Sequence, residues 1–113
     1  SMVDVARLEQ GEVDTHETHF AISAILRNLE DELRSQAESK GLDFMVETEA
    51  EAIVFSDSVL LARILRNLIH NAIKYTDAGF VRVALSQTDE QVLITVQASG
   101  SGIPESEHNL IFD

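Results

Sequence analysis

The apolar residues of this chain change their spacing from one stretch to the next, and that change bounds the fold more tightly than any other feature. From Ile22 they recur at Ile22, Ile25, Leu26, Leu29, Leu33 and Ala37, with Arg27, Glu30, Asp31 and Arg34 on the other face. This is the 3.6-residue period of a helix with one apolar side. Gly41 is placed to stop it. The same period returns at Leu60, Leu61, Ile64, Leu65, Leu68, Ile69, Ala72 and Ile73, and Ser56 or Asp57 can cap its start. Elsewhere the period is two. Leu42, Phe44 and Val46 alternate with more polar residues. Val81, Val83 and Leu85 do the same, and after a turn at Thr88-Asp89-Glu90 so do Val92, Ile94 and Val96. Ala52-Ile53-Val54-Phe55 reads as a short buried strand, and residues 15–20 as an ambiguous one. Two long helices with strands grouped rather than strictly alternating predict an α+β fold, a two-layer sandwich with the helices on one face of a mixed sheet.

Length and charge narrow the function. The 113 residues suffice for one domain. A net charge of −12 argues against a nucleic-acid partner. An anionic ligand such as a nucleotide would need a divalent cation and a locally basic site to offset the repulsion. The absence of cysteine excludes disulfides, thiolate catalysis and Cys-based zinc sites. No apolar run approaches the ~20 residues of a membrane span. Ser1-Met2 reads as the scar of a cleaved tag. Residues 2–10 read as the end of a longer helix stopped near Gly11, which divides the chain into a linker at 1–14 and a domain at 15–113.

Two segments carry possible chemistry. In Asn67-Leu-Ile-His-Asn71-Ala-Ile-Lys74-Tyr75, the spacings of four and three put Asn67, Asn71 and Lys74 along one helix face. Amide oxygens are reasonable Mg²⁺ ligands, Lys pairs with phosphate, and Tyr75 offers a flat face to a purine. By spacing alone, both Asn residues also fit caps and backbone contacts. In Val96-Gln97-Ala98-Ser99-Gly100-Ser101-Gly102-Ile103-Pro104, two glycines directly after a strand let backbone approach a ligand. Alone, that pattern also fits a surface turn.

In this order the two segments resemble the N box and G1 box of the ATP-binding domain of sensor histidine kinases, a family that shares its fold with the DNA gyrase B, Hsp90 and MutL ATPases. Asp4 to Gly11 is similar to the family's linker out of its dimerisation helices. Phe20–Gly41 is similar to its first helix, and Phe55-Ser-Asp57 to the lead-in to the N-box helix. The segment from Pro104 to Phe112 is similar to the stretch before the ATP lid, and we read it as a turn into a short acidic helix. The chain would then stop before the lid. The resemblance implies a cytoplasmic domain of a two-component phosphorelay kinase, whose parent could carry a membrane anchor outside these residues. It implies ATP and Mg²⁺ as cofactors. The partners would be an upstream dimerisation domain with the phospho-acceptor His, a response regulator and a second copy of the parent. Position by position, Asn71 would hold Mg²⁺, and Asn67 and Lys74 would line the phosphates. Tyr75 would lie against adenine, and Gly100 and Gly102 would open the floor of the adenine pocket, with Ile103 beside it. ATP-hydrolysing relatives usually carry Glu at the Asn67 position. An amide cannot accept a proton from water, so phosphoryl transfer fits better than hydrolysis.

The G1 box normally begins with Asp, and here that position is Ala98. The carboxylate would accept a hydrogen bond from the adenine amino group. Such a bond contributes roughly 1.5–3 kcal/mol, so its loss implies binding weaker by about 10- to 150-fold. The resemblance therefore implies an impaired kinase domain, or else a nucleotide-free module that acts through protein contact. His16, His19 and His108 read as surface residues, and His70 as rim or solvent-facing. Arg63, Arg66 and Glu30-Asp31-Glu32 read as solvated.

Overall fold

A computed structural model describes residues 16–89, 91–100 and 103–112, with Gly100 and the last segment described as backbone. The linker expected at 1–14 lies outside the described residues. The element order is β1 (Glu17–Ala21), α1 (Ile22–Ser39), β2 (Asp43–Thr48), β3 (Ile53–Asp57), α2 (Ser58–Tyr75), β4 (Phe80–Gln87), β5 (Val92–Gly100) and β6 (Ile103–Phe112).

The period-two segments build one mixed sheet in the order β2-β4-β5-β6. The β2–β4 pair is parallel, and β4–β5 and β5–β6 are antiparallel. Alternation puts Val81, Val83 and Leu85 of β4 and Val92, Ile94, Val96 and Ala98 of β5 on one buried face. The helices cover that face, α1 over β2 and α2 over β4 and β5. Their contribution is Ile22, Leu26, Leu29, Leu33 and Ala37 from α1 and Leu61, Leu65, Ile69 and Ile73 from α2. Each fully buried Leu, Ile or Val is worth roughly 1.5–3 kcal/mol relative to exposure. The α+β sandwich inferred from periodicity is the observed architecture.

The first helix ends as its glycine requires. Gly41 has φ +76°, its N–H donates to Glu38 O at 2.9 Å, and the Leu42 N–H donates to Ala37 O at 3.0 Å. This pair of bonds is the Schellman closure, and only a residue without Cβ enters it freely.

Two expectations are corrected. Ala52–Phe55 is not a buried strand. Ala52 precedes β3, and Ile53–Phe55 form its start, pairing with β1 in a separate two-stranded ribbon. A ribbon has two faces and only one packs inward, so Ile53 and Phe55 are 59% and 56% exposed while Val54 packs against the core. His19 of β1 rests its ring on Phe55, with centroids 4.8 Å apart. The second correction is the C-terminal segment, which is strand β6 rather than the start of an acidic helix. β5 pairs with β4 along one edge only, and an open edge leaves N–H and C=O groups without partners. Residues 103–112 supply them, in one register from Val92↔Phe112 to Ala98↔Ser106, with a shift before Gly100↔Ile103. Pairing overrides local preference here.

Candidate functional site

Helix α2 is held at its N-terminus by one carboxylate. Asp57 Oδ1 accepts the N–H of Leu60 at 3.0 Å, and Oδ2 accepts the N–H of His16 at 3.1 Å. The Leu60 bond, and then the His16 bond, stabilise the charged form and lower the Asp57 pKa below its ordinary 3.8. One side chain thus caps α2 and fixes the entry to β1.

Along α2 the buried residues recur at Leu61, Leu65, Ile69 and Ile73, so the opposite stripe faces solvent. Arg63, Arg66, Asn67, His70, Asn71, Lys74 and Tyr75 are all exposed. At about 100° per residue, Asn67, Asn71 and Lys74 fall within an arc of about 60°. The Lys74 ammonium lies 5.3 Å from the centre of the Tyr75 ring. From Ser58 to Tyr75 the helix contains no acidic residue. It holds three of the chain's eight Lys and Arg residues, although the chain carries twenty acidic ones. The helix by itself carries only positive charge, at Arg63, Arg66 and Lys74. Arg66 is not simply solvated, because its guanidinium pairs with Glu32 of α1 at 3.0 Å. Glu30 likewise pairs with Arg34.

The second segment begins at the end of β5. Ala98 is 4% exposed and faces the helix layer beside Val81 of β4, as the last residue of the apolar row Val92, Ile94, Val96 and Ala98. Gly100 is the last residue of β5, and Ile103 opens β6 opposite it. Gly102 lies outside the described residues, and the side chains of Ile103 and His108 are likewise not described. His16, His19 and His70 are exposed.

The structure joins the two segments through a link the sequence did not announce. After Tyr75 the chain passes through buried Thr76 to Gly79, which has φ +113°. Ser99 Oγ accepts the N–H of Phe80 at 3.0 Å. A Cβ added to Gly79 would stand 2.2 Å from that Oγ. The turn that leaves α2 is therefore latched to the strand that leads into Gly100. The paired observations of a Gly at the turn and a Ser beside the glycine pair were visible in the sequence, but nothing in them specified contact. Lys40 was missed in the same way. Its Nζ donates to Ile73 O at 2.8 Å and to Lys74 O at 2.9 Å.

Among the described residues no group of three or more His, Cys, Asp or Glu could hold a metal ion. No described helix is long and apolar enough to cross a membrane.

Comparison with known proteins agrees with this geometry. Residues 56–113 match the model of the family described as histidine kinase-, DNA gyrase B-, and HSP90-like ATPase. The autoinducer 2 sensor kinase/phosphatase LuxQ of Vibrio cholerae is 33% identical over 99% of this chain, which spans 14% of its length. The catalytic domain of the histidine kinase ThkA superposes with a TM-score of 0.72 at 25% identity, covering 80% of this chain and 63% of that one. Another structure holds ThkA in complex with the response regulator protein TrrA, with a TM-score of 0.69 at 27% identity over 78% of this chain and 27% of that one. Full-length ShkA in complex with AMPPNP gives a TM-score of 0.72 at 25% identity, covering 80% of this chain and 20% of ShkA. On these matches the chain belongs to the histidine kinase-, DNA gyrase B- and HSP90-like ATPase family, as an ATP-binding catalytic domain of the histidine kinase type.

Proposed function

We propose that the exposed stripe of α2 and the adjoining end of β5 form a Mg²⁺–ATP site. In the parent protein this site would serve phosphoryl transfer to a His on an upstream dimerisation domain. The observation that carries the proposal is the acid-free stripe Asn67, Asn71, Lys74 and Tyr75 in a chain of net charge −12. The residues present fit the ligand. Amide oxygens are hard donors of the kind Mg²⁺ takes, an ammonium suits phosphate, and no carboxylate on the helix repels it. ATP supplies the phosphoryl group when bound, and Mg²⁺ supplies charge neutralisation. Asn71 is the residue assigned to the metal. Asn67 and Lys74 position the phosphates, and Tyr75 covers the adenine. Gly100 and Gly102 are assigned to the floor of the adenine pocket, with Ile103 beside it. Residues 1–14 serve as linker and 15–113 as the nucleotide-binding domain. The parent works as a homodimer with a response regulator, and the domain works where ATP is, in the cytoplasm.

Ala98 specifically favours a second reading, a nucleotide-free module that acts by protein contact. Calorimetric titration with a non-hydrolysable ATP analogue and Mg²⁺ separates the two. Ala98→Asp is expected to bind about 10- to 150-fold tighter than the unaltered chain. Binding by neither form rejects the nucleotide site and leaves the interaction module.

A further inference from the structure

The two long helices end differently, and the difference involves the site. Helix α1 closes on itself through Gly41. Helix α2 has no such closure, because its C-cap residue Thr76 continues in extended conformation with φ −104° and ψ 115°. The last carbonyls of a helix have no partner within it and carry the negative end of its dipole. In α2 two of them, Ile73 O and Lys74 O, accept from a single ammonium, that of Lys40, at 2.8 and 2.9 Å. Lys40 is the C-cap residue of α1, held between Ala37 and Gly41 by the backbone bonds of that turn. The cation is thus anchored on one helix and completes the end of the other.

The two carbonyls belong to the peptide planes that follow Ile73 and Lys74. Fixing these planes fixes the direction in which the Lys74 and Tyr75 side chains leave the backbone. Those side chains in turn hold each other, ammonium over ring at 5.3 Å. Resting on the nucleotide site proposed above, we infer that Lys40 is a positioning residue for that site. It holds the last turn of α2 so that Lys74 meets phosphate and Tyr75 meets the base. It does so through the backbone and makes no contact with ligand itself.

The chain has one tyrosine and no tryptophan, so its intrinsic emission reports Tyr75 alone. The test compares Lys40→Met, which keeps length and loses the charge, with Lys40→Arg, which keeps the charge. Each is made in the full chain and again with Ala98→Asp, and far-ultraviolet circular dichroism checks the fold. Two quantities are read: the tyrosine fluorescence anisotropy without ligand, and the affinity for a non-hydrolysable ATP analogue with Mg²⁺. Lys40→Met is expected to lower the anisotropy and weaken binding roughly tenfold, the effect of losing one charged hydrogen bond. Lys40→Arg is expected to restore most of both. Unchanged anisotropy in Lys40→Met overturns the inference. So does lowered anisotropy with unchanged affinity, which would make Lys40 a helix cap and nothing more. Should Lys40→Met unfold the chain, the decision falls to Lys40→Arg, whose failure to match the unaltered anisotropy and affinity also counts against it. Failure of the underlying reading looks different: no nucleotide binds to the unaltered chain or to Ala98→Asp, whatever the tyrosine reports, and both proposals fall.

Discussion

Replacing Gly79 with alanine tests the latch between the two halves of the site. The new Cβ would lie 2.2 Å from Ser99 Oγ and 3.4 Å from Ser99 Cβ and O. Two penalties arise, and they are separable. The first is in the backbone. At φ +113° an L-residue is strained, at about 1–2 kcal/mol. The second is in the contact. Ser99 Oγ must swing away, the Phe80 N–H loses its acceptor, and a partly buried donor without a partner costs about 1–3 kcal/mol. Together these make Gly79→Ala destabilising by about 2–5 kcal/mol. That is a large share of the roughly 5–15 kcal/mol that holds a domain of ordinary size together. In urea, with a slope of about 1–3 kcal/mol per molar, the midpoint falls by on the order of 1–2 M. The decisive step is a double-mutant cycle with Ser99→Ala, which removes the hydroxyl beforehand. In that background only the backbone penalty remains, so Gly79→Ala costs about 1–2 kcal/mol and the cycle shows a coupling of similar size. Equal costs in both backgrounds would refute the latch and leave only the strain of the turn.

Three further measurements bear on the rest of the site. Because the Asp57 carboxyl titrates below its ordinary 3.8, its contribution to stability is fully present above that pH and is lost as pH falls through the lower folded value. Asp57→Asn keeps a capping side chain but not the charge, so its acid-unfolding curve below about pH 4 is expected to be flatter than that of the parent; an unchanged curve would remove Asp57 from the acid transition. Ala98→Asp is expected to unfold at lower urea without ligand and to regain about 2.7 kcal/mol when the ATP analogue is present at a hundred times its Kd; a midpoint insensitive to the ligand would contradict the assigned pocket. Arg66→Ala breaks an exposed pair with Glu32 and is expected to shift stability by at most about 1 kcal/mol, vanishing in molar salt; a larger, salt-independent loss would mean that Arg66 does more than pair.

What could be read from the sequence was whatever depends on local period. Leu61, Leu65, Ile69 and Ile73 point inward because a helix repeats every 3.6 residues, and Val81, Val83 and Leu85 because a strand repeats every two. The polar stripe of α2 follows from the same geometry, so Asn67, Asn71 and Lys74 share a face as their spacing required. What depends on partners far along the chain was not legible. Ile53 and Phe55 have the composition of a buried strand, and only the two-stranded pairing with β1 shows that one face stays outside. The segment 103–112 has the polarity of a helix start, and only the free edge of β5 makes it a strand. Lys40 and Ser99 act across 33 and 19 residues of chain, and no pattern in a single sequence encodes such bonds.

Ala98 shows why site and core need not agree. The inward row of β5 runs Val92, Ile94, Val96 and Ala98, and Val81 lies beside its last member. For a chain without ligand, an apolar residue is the low-energy choice at that point, since an unpaired carboxylate facing the helix layer would have to be desolvated. The resemblance to histidine kinases places a carboxylate there all the same, and a bound base would then supply the donor that the protein interior does not. With alanine, strand and core are consistent with each other, and on the proposed reading the acceptor for the base is absent. The basic stripe of α2, the Lys40 cap and the Ser99 latch do not depend on residue 98. If the site is the one proposed, Ala98→Asp changes only its base-facing side, so restoring that single side chain is expected to restore selectivity for adenine more than affinity for triphosphate.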